Sequence, residues 1–65
     1  MSEETPIRRA YDLGMDHADE DHAGKPDVRL HSGREIARAL GFTATTGEQL
    51  VELREAYNDG WRDWA

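Results

Sequence analysis

Thr45-Thr46-Gly47-Glu48-Gln49-Leu50-Val51-Glu52-Leu53-Arg54-Glu55-Ala56-Tyr57-Asn58-Asp59-Gly60-Trp61-Arg62-Asp63-Trp64 is the stretch that decides the fold. Leu50, Leu53, Tyr57, Trp61 and Trp64 recur three or four apart, the period of a helix with one buried stripe. Thr45 with Glu48, or Thr46 with Gln49, offers a capping box for its start. In a chain of 65 residues such a helix must be covered by the remaining sequence.

Working upstream, Ser32 and Glu35 form a second capping-box pattern, opening a short helix that carries Ile36, Ala37 and Leu40. Gly41 ends it, and Phe42 folds back onto the core. Thr5-Pro6 reads as an N-cap followed by proline at the first helical position, where its missing N–H costs nothing. Ile7, Ala10, Tyr11, Gly14, Met15 and Ala18 then share one stripe. That helix should end near Ala23, with Gly24 as the left-handed cap residue and Pro26 barring continuation. Asp27 to His31 is extended, with Val28 and Leu30 making a short strand or simply anchoring the connection.

The expected fold is therefore mainly α: a compact three-helix single domain over residues 1–65, long-short-long, with a small strand near residues 28–30 left open. Its expected core is Ile7, Tyr11, Met15, Leu30, Ile36, Leu40, Phe42, Leu50, Leu53, Tyr57 and Trp61. Three of the five aromatics fall in the last nine residues and supply much of the buriable area.

The two long helices echo each other. Ala10-Tyr11-Asp12-Leu13-Gly14-Met15 and Ala56-Tyr57-Asn58-Asp59-Gly60-Trp61 share Ala-Tyr-x-x-Gly followed by a large apolar side chain. Alanine and glycine four apart leave a flat strip on which another backbone can rest. Packing the two strips together would account for Gly60, which in mid-helix costs about 1 kcal/mol relative to alanine. The alternative is chance similarity in a short chain.

The same C-terminal helix carries Glu48, Glu52, Glu55, Asp59 and Asp63 on one face. Like charges so placed destabilise a helix by about 0.2–0.5 kcal/mol per pair, so the four adjacencies cost about 1–2 kcal/mol. A core of this size rarely supplies more than about 3–5 kcal/mol, which makes the row expensive and points to a partner. Asp12, Asp16, Asp19 and Glu20 form a companion set on the first helix. Arg38, Arg54 and Arg62 are the residues that would neutralise part of the row.

Charge narrows the partner. Fourteen Asp and Glu against eight Lys and Arg give a net charge of −6. That argues against direct nucleic-acid or anionic-membrane binding, which require positive charge, and favours a basic partner. No cysteine is present, so no disulfide or thiolate metal site exists. His17 and Asp21 stand one turn apart, a pair that suits zinc or nickel, but His22 points away from His17 on a regular helix. Solvent-exposed histidines, without metal or cofactor, are the expectation. No nucleophile elbow, phosphate loop or His-Glu-x-x-His motif supports catalysis. The opening Met-Ser-Glu-Glu-Thr-Pro lacks the basic and apolar segments of a secretory signal, and no apolar run is long enough to span a bilayer; a cytoplasmic protein is expected.

Arg34-Glu35-Ile36-Ala37-Arg38-Ala39-Leu40-Gly41-Phe42 resembles the first helix and turn of a helix-turn-helix, with Ala37 and Gly41 at its small positions. The resemblance implies that the next helix reads DNA, yet that helix presents Glu48, Glu52 and Glu55. Gly60-Trp61-Arg62, with Arg54, Tyr57 and Ala10-x-x-x-Gly14, is similar to ribosome modulation factors, which are basic, RNA-associated and lack the Ser32–Gly41 helix. In type, being tiny, acidic, free of cysteine and without a catalytic motif, the chain looks like phage-encoded anti-CRISPR and anti-restriction proteins that imitate DNA. That likeness implies a non-catalytic inhibitor of a basic nucleic-acid-binding groove, such as that of a CRISPR surveillance complex or restriction enzyme. Glu48, Glu52, Glu55, Asp59, Asp63, Asp12, Asp16, Asp19 and Glu20 would be its contact residues. The alternatives are a small helix-turn-helix-like or ribosome-modulation-factor-like regulator that touches nucleic acid, and an acidic adaptor.

Overall fold

The computed structural model describes residues 5–64. It contains α1 (Pro6–His22), α2 (Gly33–Leu40) and α3 (Gly47–Asp63), and no strand among the described residues. The long-short-long order expected from the sequence holds. Val28–Leu30 forms no strand among the described residues; the Leu30 N–H is instead donated to the Tyr57 hydroxyl at 3.0 Å. With no ladder to join, this backbone group is satisfied by a side chain.

The helix ends follow local chemistry. Thr5, Ser32 and Thr46 each accept the backbone N–H three residues on, from Arg8, Glu35 and Gln49 respectively. Of the two caps open for α3, Thr46 with Gln49 is the one used, and the Gln49 amide oxygen reaches back to the Thr45 N–H at 2.7 Å. Gly41 ends α2 at φ 69°, a left-handed conformation in which a side chain would be strained. Its six-residue connection Gly41–Thr46 is longer than the three- or four-residue turn of a helix-turn-helix.

α1 and α3 run parallel. At one end Pro6 and Ile7 meet Gln49, Glu52 and Leu53. At the other, His22 lies against Trp64 with ring centroids 4.8 Å apart. The segment between α1 and α2 returns along α3: Arg29 reaches Asn58, Leu30 reaches Tyr57, and Gly33 sits on the backbone of Leu50. That crossover is what lets two long helices share a direction.

Where they touch, the two Ala-Tyr-x-x-Gly strips face each other. A Cβ built on Gly14 would lie 2.1 Å from the Tyr57 carbonyl oxygen, and one on Gly60 would lie 2.0 Å from that of Tyr11. Each glycine rests on the backbone of the opposite motif's tyrosine. The tyrosine hydroxyls repeat the relation: Tyr11 reaches Asp63 and Tyr57 reaches His17, each six positions past the opposite tyrosine. The pair thus has an approximate twofold relation along the helix axes.

Close backbone approach leaves little room for large side chains, and the core shows it. The fully or nearly buried apolar residues are Ala10, Ala18, Ile36, Ala37, Leu53, Ala56 and Tyr57. Tyr11, Leu30, Leu40, Phe42, Leu50 and Trp61 pack against them as expected, joined by Leu13. Ile7 corrects the expectation, being 39% exposed, and Met15 is half-buried outside the central cluster. Alanines took those places because only small residues fit where two backbones meet. No helix among the described residues is long and apolar enough to cross a membrane.

Candidate interaction surface

Glu48, Glu52, Glu55, Asp59 and Asp63 are all exposed along α3. The row follows directly from helical spacing, but its members differ in what they touch. Asp59 pairs with Arg62, one turn on. Asp63 accepts the Tyr11 O–H at 2.6 Å. That hydrogen bond, foremost, together with desolvation and the negative charge of Asp63, raises the Tyr11 pKa above its ordinary value. Glu48, Glu52 and Glu55 form no ion pair among the described residues. The half of the row nearest the start of α3 is therefore its free half. From Glu48 to Glu55 it covers about 10 Å at about 1.5 Å rise per residue.

The α1 set divides similarly. Arg8 pairs with Asp12 at 3.4 Å and Lys25 with Glu20 at 3.9 Å. Asp16 and Asp19 are exposed with no ion pair among the described residues. The two sets do not join into one surface. A shallow groove between the helices lies next to Asp59, and Arg8, Tyr11 and Met15 line its α1 side. Glu20 turns toward the crossover, where Lys25 holds it.

Of the three arginines expected to neutralise the row, Arg62 does so and Arg38 and Arg54 do not. At about 100° per residue, Arg54 lies about 100–160° around α3 from Glu48, Glu52 and Glu55. It belongs to another surface, with Arg34 and His31 beside the α2–α3 contact. Sequence reasoning passed over that grouping. The four-residue spacing of Arg34 and Arg38, and the angle of Arg54, were the signals for it.

Of the two histidines expected to be solvent-exposed, His22 is and His17 is not. His17 is half-buried, not solvent-exposed: its Nδ1 lies 2.7 Å from the Tyr57 hydroxyl, with the rings edge to face. The same hydroxyl accepts the Leu30 N–H, and the direction of its bond with His17 follows the imidazole tautomer. Tyr57 is fully buried by surface area, and burial raises its pKa. Arg29 lies over Trp61, 4.7 Å from the ring centroid, and donates to the Asn58 side chain at 3.1 Å. Tyr57 and Trp61 thus fasten the crossover to α3. Among the described residues no three His, Asp or Glu side chains converge as ligands for an ion. Trp64 is half-buried against His22.

The chain matches no protein-family model, no curated protein and no solved structure.

Proposed function

We propose that this protein is a non-catalytic inhibitor that offers an acidic, DNA-like surface to the basic nucleic-acid-binding groove of a defence complex, of the anti-CRISPR or anti-restriction type. One observation carries the reading. Glu48, Glu52 and Glu55 stand in a row without an ion pair while Arg54, on the same helix, is turned away from them. Helices that need only solubility place opposite charges three or four apart, as Asp59 and Arg62 do, and at Glu48, Glu52 and Glu55 that economical arrangement is absent. Asp59 and Asp63 extend the row, and Asp16 and Asp19 add a separate acidic surface on α1. Exposed carboxylates of this kind speed encounter with a cationic groove and make binding sensitive to salt.

The test is a DNA-retardation assay with purified CRISPR surveillance complexes and restriction enzymes, with and without this protein. Loss of the retarded DNA band on adding wild type, and its return with a folded variant carrying Glu48→Lys, Glu52→Lys and Glu55→Lys, is the expected result. A variant that inhibits as well as wild type removes the row from the account. A panel in which nothing is inhibited removes the proposed class of partner.

A further inference from the structure

The eight Lys and Arg residues fall into two groups. Arg8, Lys25 and Arg62 pair with carboxylates, Arg9 donates to the Leu40 carbonyl, and Arg29 is held by Trp61 and Asn58. Arg34, Arg38 and Arg54 are the remaining three, all exposed and with no side-chain hydrogen bond or ion pair among the described residues. They border two adjoining hollows between α2 and α3 that share Arg34 and Leu50 and are taken together as one groove. Arg34 and Arg54, with His31, rim one end over Leu50 and Val51, and Arg34 and Arg38 rim the other over Phe42. No carboxylate lines either end, in a chain with fourteen of them.

We infer that this groove docks the Glu48–Glu52–Glu55 row of a second copy of the chain, joining molecules head to tail. Charge complementarity is the argument. Three guanidinium groups lack a carboxylate, and the three carboxylates of the row lack a cation, as Asp16 and Asp19 on α1 also do. Arg54 lies about 100–160° around α3 from the row, and Arg34 and Arg38 stand on α2, so the two sets do not pair within one molecule. Arg34 and Arg38 are four residues apart on α2, as Glu48 and Glu52 are on α3, so both pairs repeat at about 6 Å. Guanidinium groups bind carboxylates through paired hydrogen bonds, which fixes register as well as attraction. Val51, 53% exposed, and half-buried Leu50 give the groove an apolar floor against which the incoming helix loses water. A nucleic-acid strand is the poorer occupant: its phosphates continue beyond three cations toward an acidic flank. A head-to-tail contact leaves a free groove at one end and a free row at the other, so further copies add. Because exposed ion pairs are individually weak, the assembly forms at high protein concentration and low salt.

Sedimentation velocity on the full chain tests this, using one variant with Arg34→Gln, Arg38→Gln and Arg54→Gln and another with Glu48→Gln, Glu52→Gln and Glu55→Gln. All six positions are exposed, and circular dichroism checks that each variant is folded; single Arg54→Gln and Glu52→Gln variants replace a triple that is not. Wild type should gain mass with concentration and lose it with salt, and each triple variant should remain monomeric. Their equimolar mixture should stop at a dimer, since only one row and one groove survive; the single variants should each weaken association. Wild type that stays monomeric at millimolar concentration and low salt overturns the inference, as does a groove variant that associates like wild type. Retardation of labelled DNA or RNA by wild type but not by the groove variant reassigns the groove to nucleic acid. The groove variant keeps its row, so its inhibition of a defence complex reports on the proposed function separately.

Discussion

α3 presents two faces built on opposite principles. Toward α1 it offers Ala56 and Gly60, and the backbones approach so closely that a single added methyl group collides with a carbonyl oxygen. Toward solvent it offers Glu48, Glu52 and Glu55, long exposed side chains that form no ion pair among the described residues. The inner face is fixed by shape and tolerates almost nothing. The outer face is fixed by charge alone and could be rewritten without disturbing the fold. Where shape dictates a residue, stability records the change; where charge dictates it, only binding does.

The hardest blow to the inner face is Gly60→Ala or Gly14→Ala. Each places a Cβ about 2 Å from a backbone oxygen that cannot swing aside, so the helices must separate. Overpacking of this kind costs about 1–3 kcal/mol or more, comparable to the about 3–5 kcal/mol that so small a core supplies. Both variants should be largely unfolded by circular dichroism at room temperature. Gly47→Ala is the control: nothing lies within 4 Å of its Cβ position, and the variant should melt no lower than wild type. If all three melt alike, the backbone contact is not what holds α1 to α3.

The tyrosines sharpen the same comparison, because equivalent positions have unequal burial. Tyr57→Phe removes the hydroxyl that serves both Leu30 and His17, stranding partly buried groups, and should cost about 1–3 kcal/mol in urea unfolding. Tyr11→Phe loses an exposed hydrogen bond to Asp63 and should move the urea midpoint much less than Tyr57→Phe does. Equal losses would mean that the approximate symmetry extends to energetics.

Alkaline titration follows from the same pair. Both hydroxyls ionise above the ordinary tyrosine value of 10.0, Tyr57 through burial and Tyr11 chiefly through its bond to Asp63. Above about pH 10 the unfolded chain releases protons that the folded chain retains, so stability falls as pH rises through the folded values. Tyr57→Phe should flatten the alkaline decline in melting temperature. A wild-type melting temperature that is level from pH 9 to 11 contradicts the shift (about one unit either side of the reference value).

How far the sequence could be read divides along the same line. Caps, helix period and the paired Ala-Tyr-x-x-Gly motifs are local signals, and each helix, its order and the glycine contact were legible from them. The parallel direction of α1 and α3 was not, since it depends on the crossover, whose anchors Arg29 and Leu30 meet Asn58, Trp61 and Tyr57 from far along the chain. Large apolar residues were favoured for the core over alanines, because periodicity marks a face without saying how near the neighbouring backbone comes. The acidic row was plain from spacing. The arginine groove was not, because Arg34 and Arg38 lie on one helix and Arg54 on another, and only packing unites them.

The smallest expected effect bears most directly on the outer face. Glu52 has like-charged neighbours at Glu48, four residues before it, and Glu55, three after. Glu52→Gln removes both repulsions and should raise stability by about 0.4–1 kcal/mol at low ionic strength, from about 0.2–0.5 kcal/mol per pair. At 1 M salt, where the screening length is about 3 Å, the gain should largely vanish. Thermal melts of wild type and variant at the two salt concentrations measure it. A gain confined to low salt means the carboxylates repel one another in the folded chain, and that an arrangement unfavourable to the fold persists on its surface. A variant less stable than wild type would mean that Glu52 has a favourable contact within the molecule, and the row would then be part of the fold's own electrostatics, with no need of a partner to explain it.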